Sequence, residues 1–446
     1  MSGGHEFVNW SGTVKFRADR FVKPKDEAEV KAIVDRARAD HHIVRVQGAG
    51  HSFSQIVTTP HVLMSLDEMK GVISHQGNDV TVKAGTRLKH LIPMLKGLGL
   101  GLKNMGSVTE QSIAGATSTG THGTGIKHGS ISTAIRAMRI VRGDGVIEDI
   151  NGQSQPGLLG AARLSVGTFG VTTSLTLECV PYYHVDYDAY VTDFDRAVND
   201  LMQLTQENER VLMWWFHLPP LPRGKVIIIT KNTAPSQPTG TLAGAKDLTK
   251  GFLKLGRKKW YWPFKKVEQY DTPLPFGGDV IQSLAAFLGG GDGYTRILHR
   301  TGGYEEMLTI PLLPVFHREC EYAVPVANTK AALQAMNTLF REMDAKLLLP
   351  VEVRFVRGDD DMLAPTNKGD VCYIGASTLD NATEVFERFE PLMKQFGGRP
   401  HWGKHANLTL DEVKAMYPQH AQFLALRRAR DPDGVFLNTL LRGFFA

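Results

Sequence analysis

Four stretches of this chain hold residue types that could do chemistry. The first is RVQGAGHSFS, residues 45–54, where a β-branched run enters a tight Gly-Ala-Gly turn with His51 at its tip. Such a turn can cradle phosphate through backbone N–H groups, and it exposes a ring nitrogen. It is not a dinucleotide fingerprint of the GxGxxG kind. The third glycine position is Phe53, and SQIVTTP then follows, β-branched and proline-interrupted rather than helical. A lone histidine in a turn is more often a buried residue bonded to a carbonyl than a reactive group. The second stretch, NMGSVTEQSIAGATSTGTHGTGIKHG (104–129), is dense in Gly, Ser and Thr. Small residues let the main chain approach a large planar or phosphorylated ligand, and hydroxyls donate to its oxygens. Ile113, Ala114 and Ala116 are poor linker residues, so an ordered ligand-cradling loop is expected rather than a tether. The third is VEVRF, where Glu352 and Arg354 stand two apart on a strand and share a face. A carboxylate beside a guanidinium can orient a polyol or lactone hydroxyl; on a sheet edge the same pair would be an ordinary surface ion pair. In RPHWGKHANLT (399–409), Lys404 follows a rigid His-Trp-Gly and offers a second positive charge.

The elements around these stretches predict an α+β fold. Residues 27–40 have helical spacing, with Val30, Ile33, Val34 and Ala37 on one face. HVLMSL, GVISHQ and DVTVKAG read as short strands, and LKHLIPMLKGLG as a helix ended by glycine. RAMRIVRGDGVIEDI reads as a hairpin turning at Gly-Asp-Gly, and SVGTFGVTTSLTLECV as a glycine turn before a long alternating strand. From about residue 181 the pattern changes to strands (MWWFHL, KVIIIT, YAVPV, LLLPVEVRFV, DVCYIGAST) with helices TKAALQAMNTLFREM and TEVFERFEPLMKQF between them. That suggests a sheet covered by helices on one face. Residues 235–303 look like a basic, glycine-rich insertion.

Composition narrows the class. A chain of 446 residues is too long for one ordinary core. Cys179, Cys320 and Cys372 are far apart and odd in number, so neither a disulfide framework nor a structural zinc site is expected, and no metal. MSGGHEFVNW lacks a basic start followed by an apolar core, and no run of 18 apolar residues exists. A cytoplasmic location is therefore expected. The net charge of +5 is concentrated in residues 246–266, which hold eight Lys or Arg and one Asp. The aromatics interleaved there suit peripheral membrane contact or, less well, base stacking; a solvated basic loop is the alternative. No nucleic-acid partner is expected.

Taken in order, VNWSGTVKF, VQGAGHSFSQI, the 104–129 stretch, SVGTFGVTTSLTLECVP, LPVEVRFVRGDDD, RPHWGKHANLT and DPDGVFLNTLLRGFF resemble the vanillyl-alcohol-oxidase type of flavoprotein. The narrower likeness is to the sugar-1,4-lactone oxidases and the related alditol oxidases, over nearly the whole chain except 235–303. The resemblance implies an FAD-binding domain of two subdomains (1–180), an antiparallel-sheet substrate or cap domain covered by helices (181–400), and a C-terminal segment (401–446) returning to the FAD domain. It implies FAD joined covalently to His51, with Gln47, Gly48, Ala49, Gly50, Ser52, Phe53 and Ser54 around it. Ser107, Ser112, Gly115, Ser118, Gly120, Thr121 and His122 in the second stretch, and Gly170 and Val171, would complete the cofactor site. Gly106 would leave room for O2 beside the flavin. The implied chemistry is hydride transfer from a carbinol carbon to flavin N5. Glu352, held by Arg354, would act as base; Lys404 and Arg354 would stabilise negative charge, and Ser107 would bind a substrate hydroxyl. The implied substrate is an aldono-1,4-lactone oxidised at C2, with O2 reduced to H2O2. The alternatives are an alditol oxidised at C1, or a lactone dehydrogenase with another acceptor.

Overall fold

The computed structural model describes residues 4–217, 224–235, 293–309, 317–343, 347, 350–378 and 382–446. The basic stretch 246–266 lies outside the described residues. The fold is mixed helix and sheet, built in two bodies that meet along one sheet face.

The N-terminal body is built on two main sheets, beside two two-stranded pairs, His5–Val8 with Lys15–Ala18 and Leu100–Gly101 with Val180–Pro181. A three-stranded parallel sheet takes Arg20–Val22, Val62–Ser65 and Val44–Gln47, in that order. Its helix, Glu27–Ala39, starts where the Asp26 side chain accepts the Glu29 N–H, and buries Val30, Val34 and Ala37 at one-turn spacing. A five-stranded antiparallel sheet follows: Ile147–Asn151, Ile135–Val141, Val171–Glu178, Asp79–Lys83 and Val72–Gln76. Along Val171–Glu178 every second residue is buried, as the alternation in the sequence requires.

Arg45 ties these parts together. It is 4% exposed and donates to four backbone carbonyls: Ile56 (2.7 Å), Val166 (2.8 Å), Gly167 (3.0 Å) and Phe436 (2.7 Å). One guanidinium thus fixes the strand leading to His51, the 165–168 turn and the C-terminal segment.

The second body is an eight-stranded sheet in the order Thr295–Gly303, His184–Asp193, Lys225–Thr233, Arg210–Trp215, Val351–Val356, Val371–Thr378, Arg318–Pro325 and Arg399–Pro400. All its pairings are antiparallel. Helices Phe194–Glu207, Thr329–Glu342 and Ala382–Gln395 cover one face, against Met213, Trp215, Cys320, Tyr322, Val353, Phe355, Cys372 and Ile374. The expected insertion reaches too far: Thr295–Gly303 pairs in register with His184–Asp193 and is an edge strand of this sheet. Its alternating residues are only part-buried, which hid the strand in the sequence.

The two bodies interlock at residues 121–129. The Thr124 hydroxyl donates to the Val211 carbonyl and accepts the Phe355 N–H at 3.2 Å, and the Gly125 N–H donates to the Phe355 carbonyl at 2.6 Å. The C-terminal helices, Leu410–Met416, His420–Arg428 and Thr439–Phe445, return to the first body: Val413, Tyr417, Phe423, Leu441 and Phe445 share an apolar core with Leu88, Ile113 and Phe169.

Candidate active site

The turn at residues 48–54 is held from two sides. Asn9, buried, donates through Nδ2 to the Ser52 carbonyl at 3.0 Å, and the Trp10 N–H donates to the Gly50 carbonyl at 2.7 Å. From the C-terminal side, the Phe53 N–H donates to the Gly403 carbonyl (2.7 Å) and the Ser54 hydroxyl to the Trp402 carbonyl (2.8 Å). Gly50 has φ of 70°, a left-handed conformation that glycine adopts without steric cost. The NWSG and HWGK motifs thus clamp one loop between them.

His51 stands at the tip of that loop, its ring centroid 5.5 Å from that of Trp10. Burial, with Lys404 and Arg87 adding to it against Glu110, lowers its pKa to about 4, so the imidazole is neutral at ordinary pH. It lines a cavity of about 440 Å³ with Trp10, Ala49, Arg87, Lys89 and Glu110. Gln47, at the end of its strand, keeps Oε1 buried and without a partner. A large cavity, an unsatisfied buried acceptor and a neutral imidazole fit a bound flavin nucleotide. Gln47, Gly48, Ala49, Gly50 and His51 would hold it.

The second stretch folds against this loop. Ser112 caps the short helix Ile113–Ser118 through the Gly115 N–H (3.3 Å), and a Cβ on Gly48 would lie 2.6 Å from Ser112 Oγ. Ser107 lies in the same stretch, part-buried. Gly120 follows the helix, and Thr121 accepts the Gln111 side-chain amide at 3.1 Å. The Ser118 hydroxyl donates to the Ala114 carbonyl within the helix at 2.6 Å, which leaves its oxygen free to accept. The Val171 side chain lies in the apolar core, and a Cβ on Gly170 would meet the Val141 carbonyl, so any contact these two make with the cofactor runs through their backbone. Gly106 sits where two loops meet. A Cβ there would lie 2.7 Å from the Thr121 methyl and 3.3 Å from the His122 carbonyl, so glycine at 106 serves their close packing.

The uncovered face of the large sheet carries the charged groups. In register, Trp214 opposes Glu352, Glu352 opposes Gly375, and Gly375 opposes Glu321. One step along, Leu212, Arg354, Tyr373 and Ala323 form the next row. Glu352 is held at both oxygens: Trp214 Nε1 donates to Oε1 at 3.1 Å, and the Arg354 guanidinium pairs with Oε2. Lys404 pairs with Glu319 and lies 5.3 Å over the Phe53 ring, which places it beside the His51 loop. Burial alone would raise the Glu319 pKa, but the Lys404 ammonium and the His317 ring outweigh it and hold the carboxyl down to about 2.

Trp214, Glu319, Glu321, Tyr373 and His401 escaped the sequence reading. The signal for two of them was there: in RECEYAVP the carboxylates alternate with Cys320 and Tyr322, which puts both on one face of an otherwise apolar strand. His122 stacks on Tyr373 (3.7 Å between centroids) and lies 3.5 Å from Glu321. With His401, these residues bring one donor atom each within 4.8 Å of the others, the spacing of a metal site. The tautomers oppose that use. His401 Nδ1 accepts the Gly403 N–H at 2.9 Å, so in the neutral ring Nε2 bears the hydrogen and has no lone pair for a metal. His122 donates through Nδ1 to the Gly123 carbonyl at 2.9 Å, leaving Nε2 to face Glu321. Burial favours the neutral Glu321 acid, yet His122 keeps the carboxyl well below its usual range. The cluster is a buried histidine–carboxylate contact with the neutral His401 imidazole beside it.

Comparison with known proteins agrees with this geometry. A family model described as an FAD binding domain matches residues 18–151, and one described as D-arabinono-1,4-lactone oxidase matches residues 305–443. L-gulonolactone oxidase from Mus musculus is 30% identical over 460 residues, covering 99% of this chain and 98% of its own. L-gulono-1,4-lactone dehydrogenase from Mycobacterium tuberculosis is also 30% identical, over 438 residues, covering 97% of each chain. The solved structure of cholesterol oxidase from B. sterolicum shares the fold, with a TM-score of 0.75 at 15% identity, covering 99% of this chain and 97% of the other. The chain belongs to the sugar-1,4-lactone oxidase family of vanillyl-alcohol-oxidase type flavoproteins, and is an FAD-dependent oxidoreductase acting on a CH–OH group. Among the described residues, no helix is long and apolar enough to cross a membrane.

Proposed function

We propose that the protein oxidises the C2 hydroxyl of an aldono-1,4-lactone of the L-gulono, L-galactono or D-arabinono type, the 2-keto product enolising to an ascorbate-type enediol. The observation that carries this is the Glu352 carboxylate, fixed between an indole N–H and a guanidinium on a part-buried sheet face. Bound FAD supplies a hydride acceptor and a route for the electron pair to O2, which leaves with two protons as H2O2. Glu352 takes the hydroxyl proton as the C–H bond at the same carbon breaks; a positioned base contributes roughly 10²–10⁴-fold. Arg354 holds that carboxylate in place and stabilises the developing oxyanion. Lys404, already paired with Glu319, supplies less charge than an unpaired lysine would; its ammonium orients the loop beside His51 more than it binds substrate.

His51 is the proposed attachment point of FAD. A neutral imidazole in a clamped turn presents a nucleophilic nitrogen at the cavity wall. Acid precipitation tests the link: yellow colour is expected in the pellet, and in the supernatant after His51→Ala. Peroxide assays with L-gulono-, L-galactono- and D-arabinono-1,4-lactone and with xylitol then test the substrate. Turnover of lactones with peroxide formation is expected. Flavin reduction by lactone without peroxide would make the protein a dehydrogenase, as one relative is named. Reduction by xylitol alone would move the substrate to alditols.

A further inference from the structure

Lys231 has no role in the chemistry above, yet it lies buried on the same sheet face. It is 4% exposed, in the strand Lys225–Thr233, opposite Tyr187 on one side and Arg210 on the other. Residues in register share a face, so Lys231 and Arg210 face the same way as Leu212 and its partner Arg354. Its Nζ lies 5.3 Å over the Tyr187 ring. Both cations near it already have acceptors: Arg210 pairs with Glu209 (2.8 Å) and donates to the Lys103 carbonyl (3.1 Å), and Arg354 pairs with Glu352. Among the described residues, Lys231 is matched to no carboxylate or carbonyl, and the Nε of Arg210 beside it is buried without a partner. An unpaired buried amine is costly, so an oxygen-rich group from outside the chain is the natural complement.

Reach agrees with this. Arg354 is two strands and one residue pair away, roughly 10 Å across the strands. A six-carbon sugar-acid chain spans roughly 6 Å, and the lysine stem covers the rest.

We propose that Lys231 is the far anchor of the substrate cleft. It would bind the polyhydroxylated end of the lactone and, more strongly, the carboxylate of the ring-opened aldonate. This rests on the reading of Glu352 and Arg354 as the substrate site. The anchor would make aldonates competitive inhibitors and would favour long-chain over truncated substrates.

The groups facing the amine are Arg210, Arg354 and the Tyr187 phenol, with Arg300 next in the same row beyond the tyrosine; burial pushes the phenol up to about 12. Burial first, then Arg354 and Arg210, lowers the lysine pKa to about 7. The ammonium form is therefore held below that pH and lost above it.

The test is calorimetric titration of the FAD-loaded protein with sodium L-gulonate at pH 6 and pH 8, for the wild type, Lys231→Met and Lys231→Arg. L-gulono-1,4-lactone kinetics run alongside. Expected results are tighter gulonate binding at pH 6 than at pH 8 in the wild type and at least tenfold weaker binding in Lys231→Met. Lys231→Arg should lose the pH dependence, and lactone KM should rise in Lys231→Met more than kcat falls. Failure of the wild type to bind gulonate, or equal binding by Lys231→Met, overturns the proposal. Calorimetry needs no turnover. Lysine-dependent gulonate binding without lactone oxidation would sink the lactone reading and leave the anchor standing. Lactone oxidation unaffected by either variant would do the reverse.

Discussion

Trp214 and Glu352 face each other across one rung of the large sheet, and the indole N–H donates to the carboxylate at 3.1 Å. A donor aimed at the ionised form stabilises that form. Removing it with Trp214→Phe should take away roughly 1 kcal/mol of that stabilisation. The acid limb of the pH profile for anaerobic flavin reduction should then move to higher pH. Glu352→Gln should slow reduction at least tenfold at every pH. A Trp214→Phe profile superimposable on the wild type would show that the indole does not tune the base.

The Lys404–Glu319 pair makes a different expectation. The Glu319 carboxyl is held down to about 2 in the fold, against an ordinary carboxylate value when unfolded. A depressed acid stabilises the fold above the unfolded pKa, and that contribution fades as pH falls towards the folded value. Lys404→Met strips the carboxylate of its lysine, leaving it the His317 ring, and should lower the melting temperature at pH 7. The gap between variant and wild type should narrow below about pH 4, where Glu319 can protonate. Differential scanning calorimetry across pH 3–8 reads this directly; a gap independent of pH would mean that lost packing, not charge, is responsible.

Arg45 should be as sensitive as any single site in the first body. Burial lowers its pKa to about 10, still leaving it charged at neutral pH. Arg45→Met would orphan four carbonyls drawn from three separate segments, at a cost of about 3 kcal/mol or more. Arg45→Lys should rescue little, because one ammonium cannot reproduce the planar fork. Thermal melts and the flavin-to-protein ratio should fall together. Normal flavin content in a destabilised Arg45→Met protein would separate the clamp from the cofactor loop.

Gly106→Ala tests whether that glycine serves loop packing or oxygen access. The added methyl meets Thr121 at 2.7 Å, so stability and flavin retention should drop before oxygen reactivity changes. Thr121→Ser removes the obstructing methyl, and the double variant should recover most of the loss. A stable Gly106→Ala protein with selectively slowed reoxidation would instead support the oxygen-access reading.

Much of this was legible locally. The GAGHSF turn, the helix behind Asp26, the alternation of Val171–Glu178 and the two-residue spacing of Glu352 and Arg354 all follow from backbone sterics and side-chain periodicity. The Glu352–Arg354 pair could be read because both members lie on one strand. Trp214 could not, because its distance to Glu352 depends on which strands pair and in what register. The same holds for the edge strand Thr295–Gly303, whose half-buried residues show no clean period.

The sequence by itself determined the kind of protein: ordered motifs for a flavin loop, a histidine placed to meet it, and a carboxylate–guanidinium pair to face a sugar hydroxyl. The tertiary structure alone decided which charges remain available. Lys404 is matched to Glu319 and Arg354 to Glu352, while among the described residues Lys231 is left without a counter-charge. Charge compensation is settled by through-space distance in a low-dielectric interior, and those distances exist only once distant strands lie side by side.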